Sequence, residues 1–358
     1  MKATMCFQNG RQVVGLEHRM TRQRILSSVL AWLALSSFVA AADRVKKFQG
    51  TIAGTIAETS ALEVKLTHGT LTDTVPVNEI QWIEYQGEPP ALTAARLAAQ
   101  AGRYGEALEG LGSIRPAEVK RPEIQQDLDF YKALCSARIA LATGAGIVEA
   151  GTLMNAFVQA NPKSYHYLVA CEALGDLYVA VRQYDKAREL YGRVGQAPWP
   201  EYRMRAGVAI GGALLAQGKP AEAMQSFEAV LAMTGSGQQA DEQRLAATLG
   251  KARCLAENKQ FDAATKTIQE EIIAKANPED AALLAKAYNT LGAIDRKAGK
   301  AKEAILAYLH VDLLYSAAAR EHIEALQNLV ALWNEVQKPE RAAQAAQVLK
   351  ERYKLAAP

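Results

Sequence analysis

Four cysteines stand in 358 residues, and aromatic side chains make up only 7% of the chain. Cys6 lies near the N-terminus. Cys135, Cys171 and Cys254 remain, an odd number set inside apolar helical patterns, so they do not form a complete disulfide framework. They read as small packing residues, and a single bridge stays open as an alternative in an oxidising compartment. Few aromatics and much alanine favour closely packed helices. The catalytic signatures are missing too. No Walker-type phosphate loop and no GxSxG nucleophile elbow occurs. Beyond residue 42 the histidines are His68, His166, His310 and His322, with no HExxH and no Cys/His cluster around them. They read as surface or capping residues, so the chain is expected to be no enzyme and to carry neither metal nor cofactor.

A one-signed charge field is lacking as well. The formal net charge is +3, but Lys2, Arg11, Arg19, Arg22 and Arg24 face only Glu17 within residues 1–42. Residues 43–358 carry no basic stripe, which argues against a nucleic-acid partner. Residues 1–42 themselves have the layout of a secretion signal. Arg22 and Arg24 precede the apolar run Ile25 to Val39, and Ala40-Ala41-Ala42 offers small residues for cleavage before Asp43. Met20 competes with Met1 as the start of that signal. The expectation is an exported protein, periplasmic or envelope-associated. The alternative is an uncleaved membrane anchor at residues 25–41, a run short for a span. No cysteine adjoins the cleavage site to carry a lipid.

Residues 43–87 differ in kind from the rest. Leu62, Val64 and Leu66 alternate with Glu63, Lys65 and Thr67, the period of a half-buried strand. His68-Gly69 marks a turn, and Thr70 to Val77 and Glu79 to Tyr85 read as further strands. Phe48 to Ile56 contains Gly50 and Gly54, which suits a bent or bulged strand. Trp82 and Tyr85 read as core rather than as a ligand platform. Gly50-Thr51-Ile52, Leu62-x-Val64 and Val75-Pro76 before Ile80-x-x-Ile83 resemble an SH3-like or Sm-like small barrel, or a bent sheet of that size. Such a module would cap the helices behind it, bind a peptide, or pair with its own copy. Pro89-Pro90 ends it.

From there to residue 358 a pattern of small, aromatic and aliphatic residues recurs. It is sharpest at Leu174, Gly175, Tyr178, Tyr184, Ala187 and Tyr191, then at Gly211, Leu214, Gly218, Ala223 and Phe227, and at Leu291, Gly292, Gly299, Ala304 and Tyr308. Weaker copies include Gly102, Tyr104, Ala107 and Leu111 early, and Leu329, Trp333, Ala342, Ala346 and Leu349 late. Marker positions 95, 138, 175, 211, 252, 292 and 330 recur at steps of roughly 36 to 43 residues, longer than the strict 34-residue period. The pattern resembles the tetratricopeptide repeat (TPR) family. It implies a mainly α fold: residues 88–358 as an α-solenoid of about six to seven helical hairpins behind the small β module. Midway turns such as Gly102, Arg182-Gln183, Gly218, Asn258-Lys259 and Gly299 suit left-handed helix ends.

In that family the variable positions of each first helix line a concave face. Carried over, the resemblance places there Glu172 and Asp176, Arg205, Arg253 and Glu257, then Lys286, Asn289, Arg296 and Lys297. Such a face would run from acidic to basic and orient an extended peptide. The family's carboxylate clamp is not matched, since Glu172 and Asp176 stand where it needs cationic and amide groups. The resulting expectation is a non-catalytic scaffold or assembly factor that binds other proteins or peptides in a bacterial envelope. A self-associating structural protein is the alternative. A third reading is a small-ligand or enzymatic pocket between the β head and the first repeats, near Arg96, Arg103 and Tyr104.

Overall fold

The computed structural model describes residues 42–356; the apolar run and charges of the expected signal lie outside them. An antiparallel sheet comes first, built of β1 (Asp43–Lys47), β2 (Thr51–Thr59), β3 (Glu63–His68), β4 (Leu71–Pro76) and β5 (Ile80–Glu84). Its order is β4-β3-β2-β1-β5, so β4 and β5 are both edges and the module is an open bent sheet. The bend has a cause in β2. Thr51 to Gly54 pairs with β1, whereas Thr55 to Thr59 pairs with β3. Gly54 sits at the changeover, where a Cβ would lie 2.8 Å from the His68 ring and 2.9 Å from the Thr67 carbonyl. Only glycine lets the two arms approach this closely.

Fourteen helices come next as seven hairpins: α1 (Pro90–Gln100) with α2 (Tyr104–Gly112), α3 (Pro122–Thr143) with α4 (Ile147–Ala160), α5 (Tyr167–Ala180) with α6 (Tyr184–Gly195), α7 (Pro200–Ala216) with α8 (Pro220–Ala232), α9 (Gln238–Glu257) with α10 (Phe261–Glu271), α11 (Ala281–Lys297) with α12 (Ala301–Leu314), and α13 (Ala319–Glu335) with α14 (Pro339–Tyr353). Proline at the first position starts α1, α3, α7, α8 and α14, where its missing N–H has no partner to lose. Each hairpin turn holds a left-handed residue. Glycine takes it at 102, 144, 218 and 299, while Arg182, Lys259 and Gln337 adopt it at the other three. In the fifth hairpin the strained residue is therefore Lys259 and not its neighbour Asn258.

The repeat signature works by ring-on-glycine packing. A Cβ on Gly175 would lie 2.4 Å from the Tyr191 ring, one on Gly211 2.7 Å from Phe227, and one on Gly292 2.8 Å from Tyr308. In each case a bare backbone on the first helix seats the aromatic of the second. Four of the seven spacing markers are not glycine: positions 95 and 252 carry Ala, while 138 and 330 carry the larger Arg138 and Val330, and Arg138 faces the inner surface instead.

The sheet is joined to the helices rather than tethered beside them. Val45, Val64, Leu66 and Ile83 share one buried cluster with Leu92, Leu111 and Ile124. Asp43, 2% exposed, accepts from Arg121 at 2.6 Å and from the backbone N–H groups of Ile56 and Gln86 at 3.0 and 2.8 Å. Burial alone would raise its pKa; these bonds outweigh burial and hold it below the usual range. The head also reaches further along the stack, where Asn78 donates to Glu201 at 2.7 Å and accepts from Gln239 at 3.2 Å.

The solenoid closes on itself. The Gln327 side chain donates to the Ala142 carbonyl at 2.5 Å across 185 positions of sequence. Ile139 packs onto the apolar cluster of the last two hairpins. At the turn of the first hairpin, a Cβ on Gly102 would be 3.0 Å from that of Ala319. The seventh hairpin has thus returned to the first two, and the first helices of the hairpins between them surround an inner space.

Candidate functional site

A cavity of about 540 Å³ occupies that inner space, lined from six of the seven hairpins. Tyr104 comes from the first, Arg138 and Ile139 from α3, Asp176 and Val179 from α5, and Gly212 and Ala213 from α7. Arg253 projects from α9, and Arg320, Ile323, Glu324 and Gln327 from α13, with Tyr353 and Leu355 closing the C-terminal side. The size lies in the range of sites that take small ligands or a few residues of chain. Its walls mix aliphatic surface with five charged groups, which suits recognition rather than a purely apolar filling.

Around the cavity, neighbouring first helices are linked by polar rungs. Arg138 meets Asp176 at 3.3 Å, and Glu172 pairs with Arg205. Farther on, Glu257 pairs with Lys297, and Arg296 pairs with Glu335 while donating to Asn328 at 3.3 Å. Arg253 makes one long contact, 3.4 Å to the Thr290 hydroxyl. Half-exposed pairs of this kind contribute about 0–1 kcal/mol each; their stronger effect is to fix how one repeat sits on the next.

These rungs revise the sequence-based face. Of the nine residues carried over, Asp176 and Arg253 line the cavity. Glu172, Arg205, Glu257, Arg296 and Lys297 are consumed in rungs, so no acidic-to-basic gradient runs free along the groove. Asn289 is 1% exposed and donates to the Glu321 carbonyl at 2.8 Å, a splice between repeats and not a contact surface. Lys286 lies on α11 outside the cavity lining. Arg138, Arg320, Glu324 and Gln327 were missed because they belong to the second and seventh units, whose repeat signatures are weakest. Their helical register relative to Asp176 and Arg253 was the signal available.

Asp176 is the most constrained acid of the wall. Tyr191, whose ring covers Gly175, donates its hydroxyl to Asp176 at 2.9 Å. Burial and the nearby Glu172 carboxylate raise the Asp176 pKa, against the pull of Arg138 and that hydroxyl. Tyr353 is likewise fixed: its hydroxyl is 2.6 Å from Nδ1 of buried His322, whose Nε2 is 2.8 Å from Asp312.

Where the β head meets the first hairpins, the structure holds a buried polar network. Arg96, 1% exposed, donates to both Glu88 oxygens at 3.0 Å and to Asp127 at 2.8 Å. Asp127 also contacts His166 Nε2 at 2.9 Å and accepts from Tyr165 at 3.3 Å, and Phe130 stacks on the imidazole with centroids 3.7 Å apart. Three residues were expected beside a ligand pocket at this junction, and the structure gives each a separate place. Arg96 is internal glue, Arg103 pairs with Glu106 at the surface, and Tyr104 faces the central cavity. His166 is likewise a core residue and not a surface one. Burial, aided by Arg96, lowers its pKa against the pull of Asp127. The unfolded imidazole then takes up protons first as pH falls through about 6.5, so folding stability drops on acidification by on the order of 1 kcal/mol per pH unit. Urea unfolding at successive pH values checks this: the drop is expected to shrink in His166→Gln, and an unchanged drop would assign it elsewhere.

The three described cysteines are free and buried. Burial pushes the Cys135 thiol up to about 12 and the Cys254 thiol up to about 11, which keeps both unreactive. No group of three or more His, Cys, Asp or Glu able to hold a metal occurs among the described residues, and no described helix is long and apolar enough to cross a membrane.

No curated protein matches the chain. Residues 214–287 match the tetratricopeptide repeat family model. In three dimensions the chain is similar to a Rap protein crystallised with competence and sporulation factor, at 14% identity and a TM-score of 0.52, with 74% of each chain covered. It is also similar to a tetratricopeptide repeat protein from Parabacteroides merdae, at 17% identity and a TM-score of 0.42, over 72% of this chain and 90% of that one. A third is the apo quorum sensor NprR from B. thuringiensis, at 11% identity and a TM-score of 0.42, over 72% and 85%. At these identities the likeness concerns the fold. The fourth to sixth hairpins thus contain a tetratricopeptide repeat segment, and the chain as a whole is a TPR-like α-solenoid behind a small five-stranded sheet.

Proposed function

We propose that the protein is a non-catalytic binding scaffold of the bacterial envelope, and that it holds a segment of another protein or a peptide in the cavity enclosed by its repeats. One observation carries this reading. Six hairpins converge their side chains on a single space of about 540 Å³, and charged groups from separate repeats face into it. Repeat solenoids act through such inner surfaces. The Rap protein of similar fold is solved with competence and sporulation factor bound, which supports binding as the mode of action. Export rests on the composition of residues 1–42 alone. Self-association is a weaker reading, because the terminal hairpin that would present itself to a copy is engaged with the first two hairpins.

Affinity capture from extracts of the native host tests the proposal, using the chain from Asp43 onward and its Arg253→Glu/Arg320→Glu variant. Both arginines are exposed, so the variant is expected to fold. A partner retained by the native form and reduced about tenfold or more by the variant is the expected result. Equal recovery by both forms would move the binding surface away from the cavity.

A further inference from the structure

We infer that the cavity's occupant is a short, extended, acidic peptide segment, with carboxylates set between Arg253 and Arg320 and aliphatic side chains against Ile139, Val179 and Ile323. The inference rests on the binding reading above and gives it a chemistry.

Size comes first. An α-helix is about 10–12 Å across with its side chains and rises about 5.4 Å per turn. A single turn would take up most of the 540 Å³ available. The volume thus limits the occupant to a few residues, and an extended segment of that length leaves its backbone groups free to bond with the walls. Closure of the solenoid sets this limit: the contacts of Gln327 with Ala142 and of Gly102 with Ala319 stop the groove from running on.

Charge comes second. Asp176 is already satisfied by Arg138 at 3.3 Å and by the Tyr191 hydroxyl at 2.9 Å. Arg253 spends one donor on a 3.4 Å contact, and Arg320 makes no ion pair among the described residues. Glu324, one helical turn from Arg320, is the single acid of the lining left to offset them, and it lies beyond pairing distance. An excess of guanidinium remains, held on separate helices by the rungs between repeats. Arginine presents a planar fork of donors that matches a carboxylate bidentately. Ile139, Val179 and Ile323 then offer aliphatic surface beside the charges. A segment of alternating acidic and branched aliphatic residues meets both requirements.

Isothermal titration calorimetry decides it with three probes: the N-acetylated, C-amidated tetrapeptide Glu-Leu-Glu-Leu, its isosteric amide Gln-Leu-Gln-Leu, and free glutarate. Each is titrated into the chain from Asp43 onward and into Arg253→Met/Arg320→Met, whose melting temperature is checked against the parent. The acidic peptide is expected to bind about tenfold or more tighter than the amide, and the preference to fall to about twofold or less in the variant. Equal binding of acid and amide would overturn the anionic chemistry while leaving a peptide site in place. Glutarate binding as tightly as the acidic peptide would overturn the peptide and leave a small dicarboxylate. Absence of binding by every probe would overturn the inference altogether. The capture experiment would then still show independently whether the cavity holds a larger partner.

Discussion

Asp127→Ala is expected to remove about 3–5 kcal/mol of folding stability, the usual effect of stripping one partner from a buried ion pair. Asp127 is fully buried and is shared by Arg96, His166 and Tyr165. Without it, Arg96 keeps Glu88 but loses half of its compensation, and its buried Nε already has no partner. The same substitution leaves His166 without its acceptor and opens a void beside Phe130. Asp127→Asn, of equal shape, is expected to cost less because the amide still accepts hydrogen bonds. Replacing both partners, as Arg96→Met/Asp127→Leu, is expected to recover much of the loss, since an apolar pair needs no compensation. Urea midpoints of the four forms settle the point. A loss below about 1 kcal/mol for Asp127→Ala would mean that water reaches the site.

Phe227→Ala is expected to destabilise by about 3–5 kcal/mol as well, for a different reason. The Phe227 ring lies between two bare backbones. A Cβ on Gly211 would be 2.7 Å from it, and one on Gly250, in the next repeat, 2.4 Å. The ring is thus the wedge that joins the fourth and fifth hairpins, and its removal opens a cavity at an interface on which the stack depends. Gly250→Ala overpacks the same contact from the other side. Its penalty is expected to shrink in a Phe227→Leu background, where the ring that it strikes has gone. Strict additivity of the two changes would show that the backbone shifts to make room instead.

The local devices of the fold were legible because each is written within one repeat. Gly175 with Tyr191, Gly211 with Phe227 and Gly292 with Tyr308 announce the close helix approaches, and the turn glycines announce the hairpins. The bend of the small β module was legible from alternation and from Gly54, but whether it was a barrel or a sheet was not. Closure was not. It accumulates from a small rotation at each of seven repeats, and no residue pattern states that angle. The steps of the array, longer than the strict period, hid the pitch further. Missing the closure also meant missing the pairing of charges. Glu257 and Lys297, or Arg296 and Glu335, are neighbours only once adjacent first helices are in register. A free acidic-to-basic face was therefore the natural reading of unpaired residues. The buried network had a signal that periodicity alone does not flag. Arg96 shares a helix face with Leu92, Ala95 and Ala99, and Asp127 sits between Ile124, Leu128 and Tyr131, so each charge stands on an apolar stripe. Charges in such places need a partner nearby, and here they are each other's.

Site-specific photo-crosslinking tests most directly whether the inside of the closed solenoid is the working surface. Benzoylphenylalanine is placed at Val179, in the cavity wall, and separately at Leu313, which is 73% exposed on α12 outside it. After irradiation in the native host, a discrete adduct from position 179 and none from 313 is the predicted outcome. An adduct from 313 with none from 179 would contradict the cavity as the site and place recognition on the outer face of the repeats.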